Sequence, residues 1–171
     1  MIHVTIGQMT QMLKNLKGFL AQGEALATAK KFDSTNLLHA RLVPDMFPLT
    51  RQVQAACDTA KFTASRLSGK EAPKHEDNEQ TLEELQARID ATVAYLEGFT
   101  AEDFEGGLER RITLPFRPGY YAIGQDYLLQ FGVPNFYFHV TTAYNILRHN
   151  GAELGKIQYL GVVNLIPLDE G

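Results

Sequence analysis

Four stretches of the sequence place apolar residues three and four apart, and that spacing constrains the fold more than any other feature. The first runs from about Val4 to Lys30, where Ile6, Met9, Leu13, Leu16 and Leu20 recur with the period of an amphipathic helix. The second, from Asp45 to about Leu67, repeats Leu49, Val53, Cys57, Ala60 and Ala64, with Gly69 just beyond as a helix stop. Pro48 falls in its first turn, where a missing N–H removes no intrahelical bond. The third opens on a capping-box pair, Thr81 and Glu84. It then carries Leu82, Leu85, Ile89, Val93 and Leu96 on one stripe up to Gly98. The fourth is bracketed by Pro134 at a first helical position and Gly151 at the stop.

The connections are shorter and differ in kind. "KFDSTNLLHARLVP" predicts a link with a short helical turn, and "KEAPKHEDNEQ" a polar surface loop in which His75 is solvated. "LERRITLPFRPGYYAI" alternates apolar and polar residues around Pro118–Gly119, the mark of a two-stranded ribbon. "GQDYLLQFGV" reads as a helical turn or short helix, and the tail from Ala152 to Gly171 as mostly extended or irregular. With no repeat and no regular β-α alternation, the pattern predicts one all-α domain over residues 1–171. Its form is an antiparallel four-helix bundle with a short β-ribbon before the last helix.

Composition removes several function classes. A 44% hydrophobic and 21% charged chain has enough apolar material for a core. Its net charge of −4 and sixteen scattered basic residues give no footprint for nucleic acid. No apolar run reaches the length of a membrane span, and the N-terminal segment lacks the apolar stretch of a signal peptide, so a cytoplasmic location is expected. The one cysteine, Cys57, shares the apolar stripe of the second helix and reads as a small buried hydrophobe.

Chemistry concentrates in "PNFYFHVTTAYNILRHNG". At about 100° per residue, Asn135 and His139 fall one turn apart on one stripe at the border of the apolar face. That spacing lets two side chains hold one ion or polar ligand, although a partly buried histidine satisfied by a neighbouring hydrogen bond is the commoner reason for such a residue. Asp45, opening the second helix, would add a carboxylate to the same cavity, or would simply complement the helix dipole. The aromatic residues of the last third predict core, a subunit interface or the lining of a small-molecule pocket.

The stretches "RLVPDMFPLTRQVQAACDTAK", "LQARIDATVAYL" and "DYLLQFGVPNFYFHVTTAYNILRHNGAELGKIQYLG" resemble an uncharacterised domain-of-unknown-function family within the DinB/YfiT-like superfamily. The resemblance implies a four-helix bundle, a homodimer and, in many superfamily members, a divalent metal such as zinc or nickel held by three histidines. Two of these form a His-x-x-x-His pair on the last helix. The matching pair here is Asn135 and His139, so the first histidine of the pair is replaced, and near the start of the second helix Asp45 is the one obvious ligand. His139 is then the one remaining histidine of the metal site that the resemblance implies.

Three functions follow as expectations. The leading one is a bundle with a pocket around Asp45, Asn135 and His139 that binds a small molecule or, weakly, a divalent metal through His139. Alternatives are a non-catalytic dimerisation or interaction module, and a metal-dependent transferase or hydrolase acting on small thiols or electrophiles. The expected partners are a second copy of the chain and a small-molecule ligand, with neither nucleic acid nor membrane.

Overall fold

The computed structural model describes residues 1–168. The chain is mostly helical with one small antiparallel hairpin. Helix α1 (Ile2–Lys30) is followed by the short α2 (Thr35–His39), then by α3 (Leu49–Ser68) and α4 (Leu82–Glu97). Strands β1 (Arg111–Thr113) and β2 (Tyr121–Ile123) pair with Ile112 opposite Ala122. A single turn, α5 (Gly124–Asp126), leads through a π-helical segment, Tyr127–Gly132, into α6 (Val133–His149). The tail, expected to be irregular, contains one more short helix, α7 (Lys156–Leu160), and its last three residues lie outside the described ones.

The helix ends follow from local chemistry. Pro48, extended at ψ 166°, caps α3 at its start, and Gly69 closes it at φ 79°, a left-handed conformation that costs glycine little. The Thr81 hydroxyl accepts the Glu84 N–H at the start of α4. Helix α1 ends without glycine: Lys31 sits at φ 57° while the Phe32 N–H reaches back to the Ala27 carbonyl. Pro134 does not begin an isolated helix, because the helical path is unbroken from Gly124 to His149. Lacking an N–H, it cannot donate to the preceding turn, and the widened π segment directly upstream accommodates that gap.

Helices α1 and α3 are central, each packing against α4 and α6. Exposed pairs Lys14–Glu97 and Lys17–Asp90 run in opposite order along α1 and α4, so those two helices are antiparallel. The core between them is built from fully buried Leu13, Leu16, Phe19, Leu49, Leu85 and Phe136, among others. Among the described residues, no helix is long and apolar enough to cross a membrane.

Candidate ligand-binding site

Helix α3 is joined by three polar contacts at regular intervals to α6 and to the π-helical segment that leads into it. His139 Nδ1 lies 2.7 Å from Gln52 Oε1, the Asn135 amide donates to Thr59 Oγ1 at 2.8 Å, and Arg66 donates to the Tyr127 hydroxyl at 3.0 Å. Residue numbers rise along one helix as they fall along the other, so this pair too is antiparallel. The Gln52 amide nitrogen is occupied by the Phe47 carbonyl at 3.1 Å, which turns its oxygen toward the imidazole. The Nδ1–H is therefore the donor in the His139–Gln52 bond, and the Nε2 lone pair is left for another partner. Burial, with a smaller contribution from the Arg51 charge, holds the His139 pKa below the ordinary histidine value.

Asn135 and His139 thus both face α3, as their shared stripe predicts, but each is bonded to a different residue of it. Asp45 is exposed in the turn before α3, and no hydrogen bond or ion pair joins it to either of them. Among the described residues, no three His, Cys, Asp or Glu side chains gather at metal-ligand distance. One imidazole beside two carboxamides is a poor donor set for zinc or nickel, which favour several nitrogen or sulfur ligands. The residues at this place do not fit the metal that the sequence resemblance implies.

Next to Asn135 opens a groove of about 320 Å³. Its floor is the stripe Arg51, Ala55, Thr59, Phe62 and Arg66 of α3, and Tyr127, Phe131 and Asn135 form the facing wall, with Phe116 of the hairpin loop at the rim. The Tyr127 and Phe131 rings stack at 5.8 Å, and Phe116 lies 5.5 Å from Phe131. Gly132 makes the close approach possible, since a Cβ there would meet the Thr63 hydroxyl at 3.0 Å. The volume lies at the low end for small-molecule pockets, and the mixture of aromatic faces with a few polar groups is typical of them.

Beside the groove, and sharing Asp58 with it, sits a polar cluster that sequence reasoning missed. The Arg88 side chain, 2% exposed, donates to Asp77 at 2.6 Å and to Glu79 and Asp58 at 2.9 Å each. Lys61, also buried, pairs with Asp58 at 2.9 Å and lies 3.3 Å from His75 Nδ1. The loop carrying Asp77 and Glu79 is accordingly fastened to α3 and α4. The expectation that His75 is solvated fails, for its side chain is 14% exposed. Burial first, then the Lys61 and Arg88 charges, lower its pKa. Cys57 is wholly buried, which pushes its thiol up to about 12 and removes it as a nucleophile.

A mostly helical chain with this hairpin and this helix order has the fold of DinB-like proteins. Residues 1–160 match the family described as a domain of unknown function, DUF1993, and the chain belongs to that family. A crystal structure described as a DinB family member protein from Shewanella denitrificans is similar throughout. It is 47% identical with a TM-score of 0.92, covering 95% of this chain and 93% of that one. No curated protein matches the chain.

Proposed function

We propose that the protein is a small-molecule-binding, DinB-like antiparallel four-helix bundle whose ligand occupies the groove between α3 and the Tyr127–Asn135 segment. The observation that carries this reading is the groove itself, where aromatic side chains from three elements surround the partly free amide of Asn135. Only one amide N–H of Asn135 is committed, to Thr59, so its carbonyl oxygen and second N–H remain for a ligand. His139 lies one turn further along α6, bonded to Gln52 outside the lining of the groove, where it fixes α6 against α3.

The test is a fragment screen followed by amide chemical shifts. Ligands should perturb Thr59, Phe131 and Asn135, and Asn135→Ala should weaken them about tenfold, the scale of a lost buried hydrogen bond. Hits that map elsewhere, or none at all, would sink the proposal.

A second reading, a homodimer, is favoured by Tyr120, Tyr121 and Phe138, which are 74%, 54% and 54% exposed. Aromatic residues left in water on one molecule are characteristic of subunit contacts. Light scattering that returns a monomer at high protein concentration would overturn it.

A further inference from the structure

Arg66 differs from the other partly buried cations of α3. Arg51 is paired with Asp77 at 2.7 Å and Lys61 with Asp58 at 2.9 Å, whereas Arg66 has no carboxylate partner among the described residues. Its guanidinium is held between ring faces instead, 5.0 Å from the Phe62 centroid and 5.6 Å from that of Tyr127. One N–H bonds the buried Tyr127 hydroxyl, which fixes the fork in place and leaves its remaining donors free. The one acid on the groove wall, Asp58, is already shared by Arg88 and Lys61, so it does not neutralise Arg66.

An oriented guanidinium without a counter-charge, set among aromatic faces, is chemically a receptor for a planar anion on an apolar body. Resting on the groove reading above, we infer that the ligand is a small aromatic carboxylate. Its carboxylate is received by Arg66, its ring lies against Phe62, Phe116 and Phe131, and any polar substituent is directed toward Asn135. A single free fork matches one carboxylate better than a multiply charged phosphate, which recruits several cations. The groove of about 320 Å³ suits one or two fused rings.

Benzoate, benzamide and acetate separate the contributions in a protein-observed NMR titration of the full chain. Benzoate should shift the amides around Phe62, Arg66 and Phe131 and bind about tenfold more tightly than neutral benzamide, as a charge-assisted bond requires. Acetate, lacking the ring, should bind far more weakly than benzoate. Arg66→Gln should erase the preference, bringing benzoate down to the affinity of benzamide. Arg66→Lys, which keeps the charge, should retain part of the preference and guards against a folding defect in the glutamine variant. Equal binding of benzoate and benzamide, or a preference that survives Arg66→Gln, overturns the carboxylate inference and leaves the groove as a neutral-ligand site. Absence of both probes from the groove overturns the inference, and if the fragment screen is also empty the groove reading falls with it.

Discussion

His139 Nδ1 and Gln52 Oε1 stand 2.7 Å apart in the buried seam between α6 and α3, and neither atom has another hydrogen-bond partner among the described residues. The glutamine amide nitrogen is tied to the Phe47 carbonyl, so removing either side chain leaves a polar atom stranded. Gln52→Leu should therefore lower stability by roughly 1–3 kcal/mol, the cost of an unsatisfied buried group. His139→Leu alone should cost a similar amount, and the double variant clearly less than the sum. A denaturant-based double-mutant cycle measures the coupling. Strict additivity would mean that the bond contributes nothing.

Two imidazoles, buried His139 and partly buried His75, set an acid limit above that of the carboxylates. His139 and His75 both have folded-state pKa values below the ordinary 6.5, chiefly because burial disfavours the charged ring. Above that value both folded and unfolded chains hold them neutral. As pH falls below it, the unfolded chain takes up protons that the folded chain refuses, and stability declines until the folded pKa values are passed. Asp77 and Glu79 act lower down. Burial pushes their carboxyls up, but hydrogen bonds from Arg88, with Arg51 on Asp77 and Gln54 on Glu79, outweigh it and hold both below ordinary values. Their stabilisation is present above the unfolded carboxylate pKa values and is lost as pH falls through the folded ones. Denaturation midpoints across pH should show two declines, the first removed by His139→Gln with His75→Gln. An NMR titration placing His139 at or above 6.5 would contradict this account.

Much of the fold was legible because apolar spacing, proline, glycine and the Thr81 cap are local signals, and the hairpin around Pro118–Gly119 is written in alternation. The partners of the site were less so. Gln52 lies three residues after Leu49, inside the apolar stripe of α3, and Arg88 lies three after Leu85 in α4. A polar residue on a buried face signals that a partner exists but not which one, since Gln52 meets His139 from 87 positions away. The α3–α6 pairing that builds the groove depends on tertiary register. Asp45 stood at a plausible ligand position in the sequence, yet the turn before α3 leaves it in solvent.

Gly124 and Gly18 should respond in opposite ways to alanine. A Cβ on Gly124 would come 1.9 Å from the Gly107 carbonyl oxygen, where the start of α5 is bonded to the 107–110 segment through the Gly124 and Gln125 N–H groups. Backbone on both sides cannot yield cheaply, so Gly124→Ala should cost at least about 1–3 kcal/mol. Gly18 lies exposed in the middle of α1 with nothing within 4 Å of its would-be Cβ. There alanine should stabilise by about 0.5–1 kcal/mol through its better helix propensity. Thermal melts of the two variants decide the matter, and equal effects would show that the close contact at Gly124 relaxes freely.

Arg88 and Lys17 provide the sharpest contrast among the ion pairs. Lys17 meets Asp90 at 2.6 Å, but their side chains are 41% and 58% exposed, so water and salt screen the pair and Lys17→Ala should change stability by no more than about 1 kcal/mol. Arg88 is 2% exposed and serves Asp58, Asp77 and Glu79 together, while its own Nε has no partner. Replacing it with leucine leaves three neighbouring carboxylates without their shared cation, with Lys61 and Arg51 the remaining compensation. Breaking such a buried set costs roughly 3–5 kcal/mol. The damage should be local as well as global. Asp77 and Glu79 are the points at which the loop before α4 is fastened, so amide exchange over residues 77–80 should accelerate in Arg88→Leu before the core helices are affected. Hydrogen exchange combined with denaturant midpoints tests both parts. A loss no larger than that of Lys17→Ala, with loop protection intact, would mean that the loop is held by something other than this arginine.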